Sequence, residues 1–198
     1  MKLIHFTDTH FVSPGEMLYG LDPRARLDAC IADINAHHAD ADLAVLTGDL
    51  THFGDVAAFE NVREALSALR VPLRLLVGNH DRNETFRRTF PEVPVDPHGN
   101  IQSVMDTEAG RLMFLDTTRA GSHGGWYDAA RLDWLEAQLR DSGASGTSSS
   151  AMCTGLCPGR GRAYRSARCA RPTTRSGSIS TPPAAHPSVT SRRPMRSC

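Results

Sequence analysis

The stretch Leu73-Arg74-Leu75-Leu76-Val77, followed by Gly78-Asn79-His80-Asp81, decides how this chain is read. An apolar run of this length, closed by turn residues, is the pattern of a buried strand. Gly78 lets the backbone turn sharply at the strand end. Three side chains able to bind metal or move protons then follow in a row. Two earlier segments repeat the design. Leu3-Ile4-His5-Phe6 runs into Thr7-Asp8-Thr9-His10, and Leu43-Ala44-Val45-Leu46 runs into Thr47-Gly48-Asp49. Three strands that each end in Asp, Asn or His place their polar ends along one sheet edge. In open α/β sheets, ligands bind at the edge formed by the carboxyl ends of the strands.

The segments between these strands read as helices. From Arg24, the residues Leu27, Cys30, Ile31 and Ile34 fall on one helical face. His37 and His38 end that helix, where cationic character suits the dipole. Phe59, Val62, Leu66 and Leu69 mark a second helix over about 55–70. The result is β-α-β-α-β with short connections, which implies a parallel sheet with right-handed crossovers. Beyond Asp81 the pattern predicts a polar helical turn at 83–90 and a hairpin of 101–106 with 111–116 around Glu108-Ala109-Gly110. A Gly-rich loop follows at 117–128. Leu132, Leu135 and Leu139 mark a last helix over about 129–140, with Gly143 as its stop.

The zero net charge of the 198 residues hides a division. Residues 1–146 hold all 22 acidic residues against 13 Lys and Arg, a net −9. Residues 147–198 hold nine Arg and no acid, a net +9, together with ten Ser and six Pro. Their large apolar residues are few and unpatterned. We therefore expect a domain over 1–145 and a low-complexity, basic, disordered tail over 146–198. Thr147-Ser148-Ser149-Ser150 is not expected to fill a central strand. The abrupt loss of acids in favour of residues encoded by GC-rich codons leads us to read the tail as a frameshift product. Four of the five cysteines lie in it. No signal pattern opens the chain, and no run approaches the ~20 apolar residues of a membrane span. A soluble cytoplasmic protein with reduced thiols is the expectation.

Asp8, His10, Asp49 and Asn79 offer oxygen and nitrogen donors suited to Mn²⁺, Fe²⁺, Zn²⁺ or Co²⁺ rather than to thiolate-seeking metals. A carboxylate such as Asp49 can bridge two ions, and an ion pair can activate water while clamping both oxygens of a phosphoryl displacement. His80 suits protonation of a leaving oxygen or orientation of a phosphate. A lone Asp or His after a strand is ordinarily a turn or cap residue, and it is the threefold recurrence that argues for a metal site. His52 either lines that site or sits in a loop, and Asp81 is a further lining candidate. His5, alternating with apolar neighbours, reads as a packed core histidine. His37, His38, His98 and His123 read as solvated. Cys153 and Cys157 lack the second ligand pair a zinc site needs. Arg160, Arg162 and the other tail arginines could grip nucleic-acid phosphates. With Tyr164 alone interleaved, a solvated basic segment is the better reading.

The motifs Asp8-Thr9-His10, Gly48-Asp49-Leu50-Thr51-His52 and Gly78-Asn79-His80-Asp81 resemble the first three signatures of the calcineurin-like metallophosphoesterases. Further detail in Gly15–Gly20, Thr118–Gly121, Gly125-Trp126 and Leu132–Glu136 resembles the bacterial class III cyclic-nucleotide phosphodiesterase and glycerophosphodiesterase subfamily, over residues 1 to about 145. That resemblance implies an α/β fold of two packed β-sheets flanked by helices. It implies Asp8 and His10 on one metal, Asp49 bridging, Asn79 on the second, and His80 at the scissile phosphate. It implies hydrolysis of a small phosphodiester, a cyclic nucleotide or glycerophosphodiester, by metal-bound hydroxide. The family continues with a His-His-Pro-Pro-like motif and then Gly-His-x-His. Here the sole later histidine is His186, which fits neither. Two expectations therefore stand side by side: a dinuclear phosphodiesterase, and an inactive fragment of one that keeps part of the metal site. Partners are a small diester and, as an open option, further copies of the chain.

Overall fold

In the computed structural model, residues 1–144 and 149–153 are described. Three parallel strands, β1 (Leu3–Thr7), β2 (Leu43–Thr47) and β3 (Leu73–Leu76), form one sheet in that order. Their register sets Leu3 beside Leu43 and Ala44 beside Leu73, so all three carboxyl ends reach one edge. Helix α1 (Pro23–His37) starts where the sequence provides a cap: the Asp22 carboxylate accepts from the N–H groups of Arg24 and Ala25, with proline next. In α2 (Val56–Leu66) the Asp55 carboxylate accepts from the Ala58 N–H. α3 (Asn83–Thr89) is the short helix expected after Asp81.

A second sheet holds β4 (Ser103–Thr107), β5 (Gly110–Leu115) and β6 (Ser149–Cys153), also in sequence order. β4 and β5 form the expected antiparallel hairpin, while β6 runs parallel to β5. α4 (Ala129–Ala144) lies between β5 and β6 in the chain and runs four residues past its expected end.

The sheet alternation explains the layers. One face of the first sheet sends Phe6 and Leu46 toward the helices, against a cluster that includes Leu27, Ile31, Phe59, Val62 and Phe86. The other face sends Leu43, Val45 and Leu76 against Phe114 of the second sheet, with Met105, Leu112 and Met152 around them. The fold is thus the expected pair of packed β-sheets flanked by helices. No described helix is long and apolar enough to cross a membrane.

Two expectations need correction. Order does not stop at 146, because Ser149–Cys153 pairs with β5. Backbone pairing makes few demands on side chains at a sheet edge, and Met152 supplies an apolar contact with the sheet–sheet core. The rest of the basic segment, including Cys157, Arg160, Arg162 and His186, lies outside the described residues. His5 is not a core residue. It shares the sheet–sheet face with Val45, yet it is exposed, with its ring nitrogen 2.7 Å from the Thr47 hydroxyl. β1 is an edge strand, and the second sheet covers the middle of this face and leaves His5 and Thr7 exposed.

Candidate metal centre

The strand ends meet as the sequence proposed. Past β1 and β2 the backbone pairing continues into the loops: the N–H of His10 donates to the Asp49 carbonyl at 2.8 Å, and that of Phe11 to Leu50 at 2.9 Å. This lays Asp8 and His10 against Asp49. His10 Nε2 stands 3.8 Å from Asp49 Oδ2 and 3.9 Å from Asp8 Oδ1. One ligand atom from each of Asp8, His10 and Asp49 falls within 4.8 Å of the others. The same holds for His10, His52 and His80.

The backbone is strained to do this. Among the described residues, the non-glycine positions with positive φ are Asp8 (56°), His10 (44°), Tyr19 (50°) and Asp49 (43°). All four belong to this site, since the Tyr19 ring meets that of His52 at 5.9 Å between centroids. Left-handed backbone at a non-glycine residue costs of order 1–3 kcal/mol and concentrates where function holds it in place. Gly78 is required for another reason. A Cβ there would lie 2.1 Å from the Asp49 nitrogen and 2.2 Å from its Oδ1. The third strand end can therefore close on Asp49 only as glycine.

Asp49 is nearly buried, at 9% exposure, and its Oδ1 accepts the His80 N–H at 3.0 Å. Its Oδ2 is left facing His10. Asp81 lines the cavity beside Asn79 and His80 and also braces the strand ends. Its Oδ2 accepts from the N–H groups of Gly78 (2.8 Å) and Leu50 (3.0 Å), and its Oδ1 from the N–H and hydroxyl of Thr51 (both 2.9 Å). It is a staple between the second and third strand ends. Burial pushes its carboxyl up, and the four donors pull the other way toward the anion.

Three imidazoles crowd the centre. His52 stacks on His80 with centroids 4.9 Å apart, and His10 meets His80 edge-on at 5.0 Å. The Nδ1 atoms of His52 and His10 are 3.4 Å apart. Burial holds the His52 imidazole below its usual range, His80 and His10 add to that effect, and Asp49 opposes it. Imidazole nitrogens drawn together with carboxylate oxygens are the donor set of a borderline divalent cation. His80 Nδ1 lies 2.9 Å from the His52 carbonyl oxygen, an acceptor, so Nδ1 carries the proton and donates.

Asn79 sits at the same edge, but its amide turns toward His123, with Nδ2 and Nδ1 2.9 Å apart. His123 also approaches the His80 ring, at 5.5 Å between centroids. Reading His123 as merely solvated missed this contact. It lies in an irregular loop more than 40 residues from Asn79, and no periodicity carries such a contact. Tyr19 was missed likewise. His37 and His98 make no contact with this site among the described residues.

Residues 1–142 match the family model described as calcineurin-like phosphoesterase. A probable cyclic nucleotide phosphodiesterase of Rhodopseudomonas palustris is 44% identical over 146 residues, covering 73% of this chain and 53% of that protein. A glycerophosphodiester phosphodiesterase of Enterobacter lignolyticus is 37% identical over 148 residues, covering 72% and 53%. The 3′,5′-cyclic adenosine monophosphate phosphodiesterase of Escherichia coli K12 is 29% identical over 143 residues, covering 72% and 51%. The chain spans about half the length of these relatives. With its three strand ends, its histidine cluster and a family match over most of its length, the chain belongs to the calcineurin-like phosphoesterase family.

Proposed function

We propose that this chain carries the amino-terminal part of a divalent-metal phosphodiester hydrolase. The observation that carries the reading is the convergence of Asp8, His10 and Asp49 within 4.8 Å, held by left-handed backbone at all three. Asp8 and His10 would hold one ion, Asp49 would bridge to a second, and Asn79 would serve the second. Bound there, Mn²⁺, Fe²⁺, Zn²⁺ or Co²⁺ would lower the pKa of water and offset charge on the phosphoryl oxygens. To serve an ion, the Asn79 amide would first have to release His123. His80 is the proton-handling residue. Its Nδ1 is committed to the His52 carbonyl, so Nε2 is the atom left to face substrate, and as imidazolium the ring would give the leaving oxygen its Nε2 proton. The stacked His52 ring and the bond from the His80 N–H to Asp49 Oδ1 fix its position. The substrate is a small phosphodiester, as the names of the relatives suggest, and the setting is the cytoplasm.

A second reading has its own support. His5 and Thr7 are exposed on the sheet–sheet face, and the α4 residues Leu132 and Leu139 are 52% and 41% exposed. A domain with more strands would cover such surface, and exposed apolar patches favour association. Under this reading the chain is an inactive fragment whose segment from about 146 onward is a frameshift product. Resequencing the gene past codon 145 tests the frameshift. If neither alternative frame encodes an apolar strand followed by His-His and a later Gly-His-x-His, the frameshift is refuted. Mn²⁺ uptake and hydrolysis of bis-p-nitrophenyl phosphate by the 198-residue protein separate the two functional readings. Turnover that falls roughly 10²–10⁴-fold in His80→Ala with metal uptake unchanged supports the enzyme. Metal uptake without turnover supports the fragment. Absence of metal uptake overturns the first reading.

A further inference from the structure

Beside the metal centre lies a cavity of about 420 Å³, bounded by Asn79, His80, Arg82 and Glu84 on one side and by the turn Thr118–Gly121 on the other. Its volume falls in the range of small-molecule sites. Arg119 lines it, and its guanidinium lies 4.9 Å from the centroid of the Trp126 ring. Among the described residues no carboxylate pairs with Arg119.

Buried charge fixes the turn that carries Arg119, whereas the cavity's other arginine, Arg82, sits at the start of α3. The Arg131 side chain is nearly buried, and its Nη1 donates to the carbonyls of Asp116 (3.0 Å), Thr118 (2.8 Å) and Trp126 (3.2 Å). Asp116, wholly buried, accepts from the Thr118 N–H and hydroxyl at 2.9 and 2.6 Å. The Ser122 N–H donates to the Arg119 carbonyl and closes the turn. The backbone carbonyls of the residue before Arg119 and of the tryptophan that flanks it are thus both tied to one buried guanidinium. With Trp126 against its face, Arg119 keeps its edge N–H groups for acceptors in the cavity. A flat pair of donors, ordered in advance, suits a rigid partner with adjacent acceptors.

We propose that this cavity is the subsite for the organic substituent of the phosphodiester, that it takes the nucleoside part of a cyclic nucleotide, and that Arg119 is the specificity-determining residue. This rests on the phosphodiester reading of the adjoining site. A guanine edge offers two adjacent acceptors, O6 and N7, that a guanidinium edge meets together, and an adenine edge offers one. A glycerol substituent is smaller and flexible, and leaves most of the cavity empty.

The test is calorimetric binding of 3′,5′-cyclic AMP, 3′,5′-cyclic GMP and glycerophosphocholine to the full 198-residue protein with Mn²⁺ present, and to Arg119→Ala and Arg119→Lys. Arg119 is exposed, so neither variant threatens folding. The unaltered protein should bind a cyclic nucleotide more tightly than glycerophosphocholine. Arg119→Ala should weaken that binding between about 5- and 150-fold, the range for losing one bidentate arginine–base contact. Arg119→Lys, which keeps charge without the planar fork, should fall between. Mn²⁺ uptake should be equal in all three. Cyclic nucleotide binding that ignores Arg119→Ala overturns the proposal, and so does equal or tighter binding of glycerophosphocholine, or no nucleotide binding at all. Arg119-dependent nucleotide binding without Mn²⁺ uptake would leave the subsite standing and remove the metal reading instead.

Discussion

Replacing Asp81 by Asn changes one atom and should cost the chain a large part of its stability. The carboxylate accepts four donors, two at each oxygen. An asparagine must turn its NH₂ group toward one pair. Facing Gly78 and Leu50, it would oppose two backbone N–H groups. Facing Thr51, it opposes one N–H, because the Thr51 hydroxyl can rotate and accept. The second orientation is therefore the cheaper. It still loses a hydrogen bond to a charged acceptor, about 1.5–3 kcal/mol, and strands the Thr51 N–H, about 1–3 kcal/mol. We expect a net loss of roughly 3–5 kcal/mol, against a total stability of about 5–15 kcal/mol for an ordinary domain. At about 2–4 °C per kcal/mol for a chain of this size, Tm should fall by roughly 6–20 °C. Urea unfolding followed by tryptophan fluorescence measures the change, with the slope checked for two-state behaviour. A loss below about 1 kcal/mol would mean that the four donors do not meet a buried anion, and the staple role of Asp81 would be abandoned.

Other residues give sharper local tests. Gly78→Ala sets a methyl group against the Asp49 backbone, which cannot give way, so it should cost at least about 1–3 kcal/mol by denaturation and weaken metal uptake. An alanine variant with unchanged metal affinity would show that Asp49 does not need this close approach. His52, with its imidazole held below the usual range, favours the neutral form in the folded chain. The unfolded chain takes up its proton first as pH falls through about 6.5, so stability should decline below that pH, with the loss continuing down to the lower folded value. His52→Asn should flatten that decline in urea titrations at pH 5, 6 and 7, and an unchanged slope would assign the decline to other groups.

The first sheet and the metal-site candidates were legible for a shared reason. Parallel βαβ units bury each strand on both faces, so β2 reads as an unbroken apolar run, and Gly or Asp marks each place where it stops. Asp8, His10, Asp49, Asn79 and His80 sit within a few residues of such stops, where local sequence suffices to place them. Contacts set by tertiary packing were hidden. The roles of His123, Tyr19 and Arg131 depend on loops that approach from distant parts of the chain. The staple role of Asp81 depends on which backbone N–H groups converge on it. His5 looked like a core residue because alternation reports which face a side chain takes and not whether that face is covered. β6 was missed because edge pairing needs little from its side chains, and Ser149, Ser150 and Ala151 carry no β signal.

The measurement that bears most directly on the metal centre is Mn²⁺ binding to the purified 198-residue chain, by electron paramagnetic resonance titration, in the unaltered protein, Asp49→Ala and Asn79→Ala. Asp49 faces His10 at 3.8 Å and would touch both ions, whereas the Asn79 amide is already engaged by His123. Saturable uptake that Asp49→Ala abolishes and Asn79→Ala reduces is the expected result. Uptake that survives Asp49→Ala as well as it survives Asn79→Ala would contradict the bridging carboxylate, and with it the assignment of these strand ends as a metal centre.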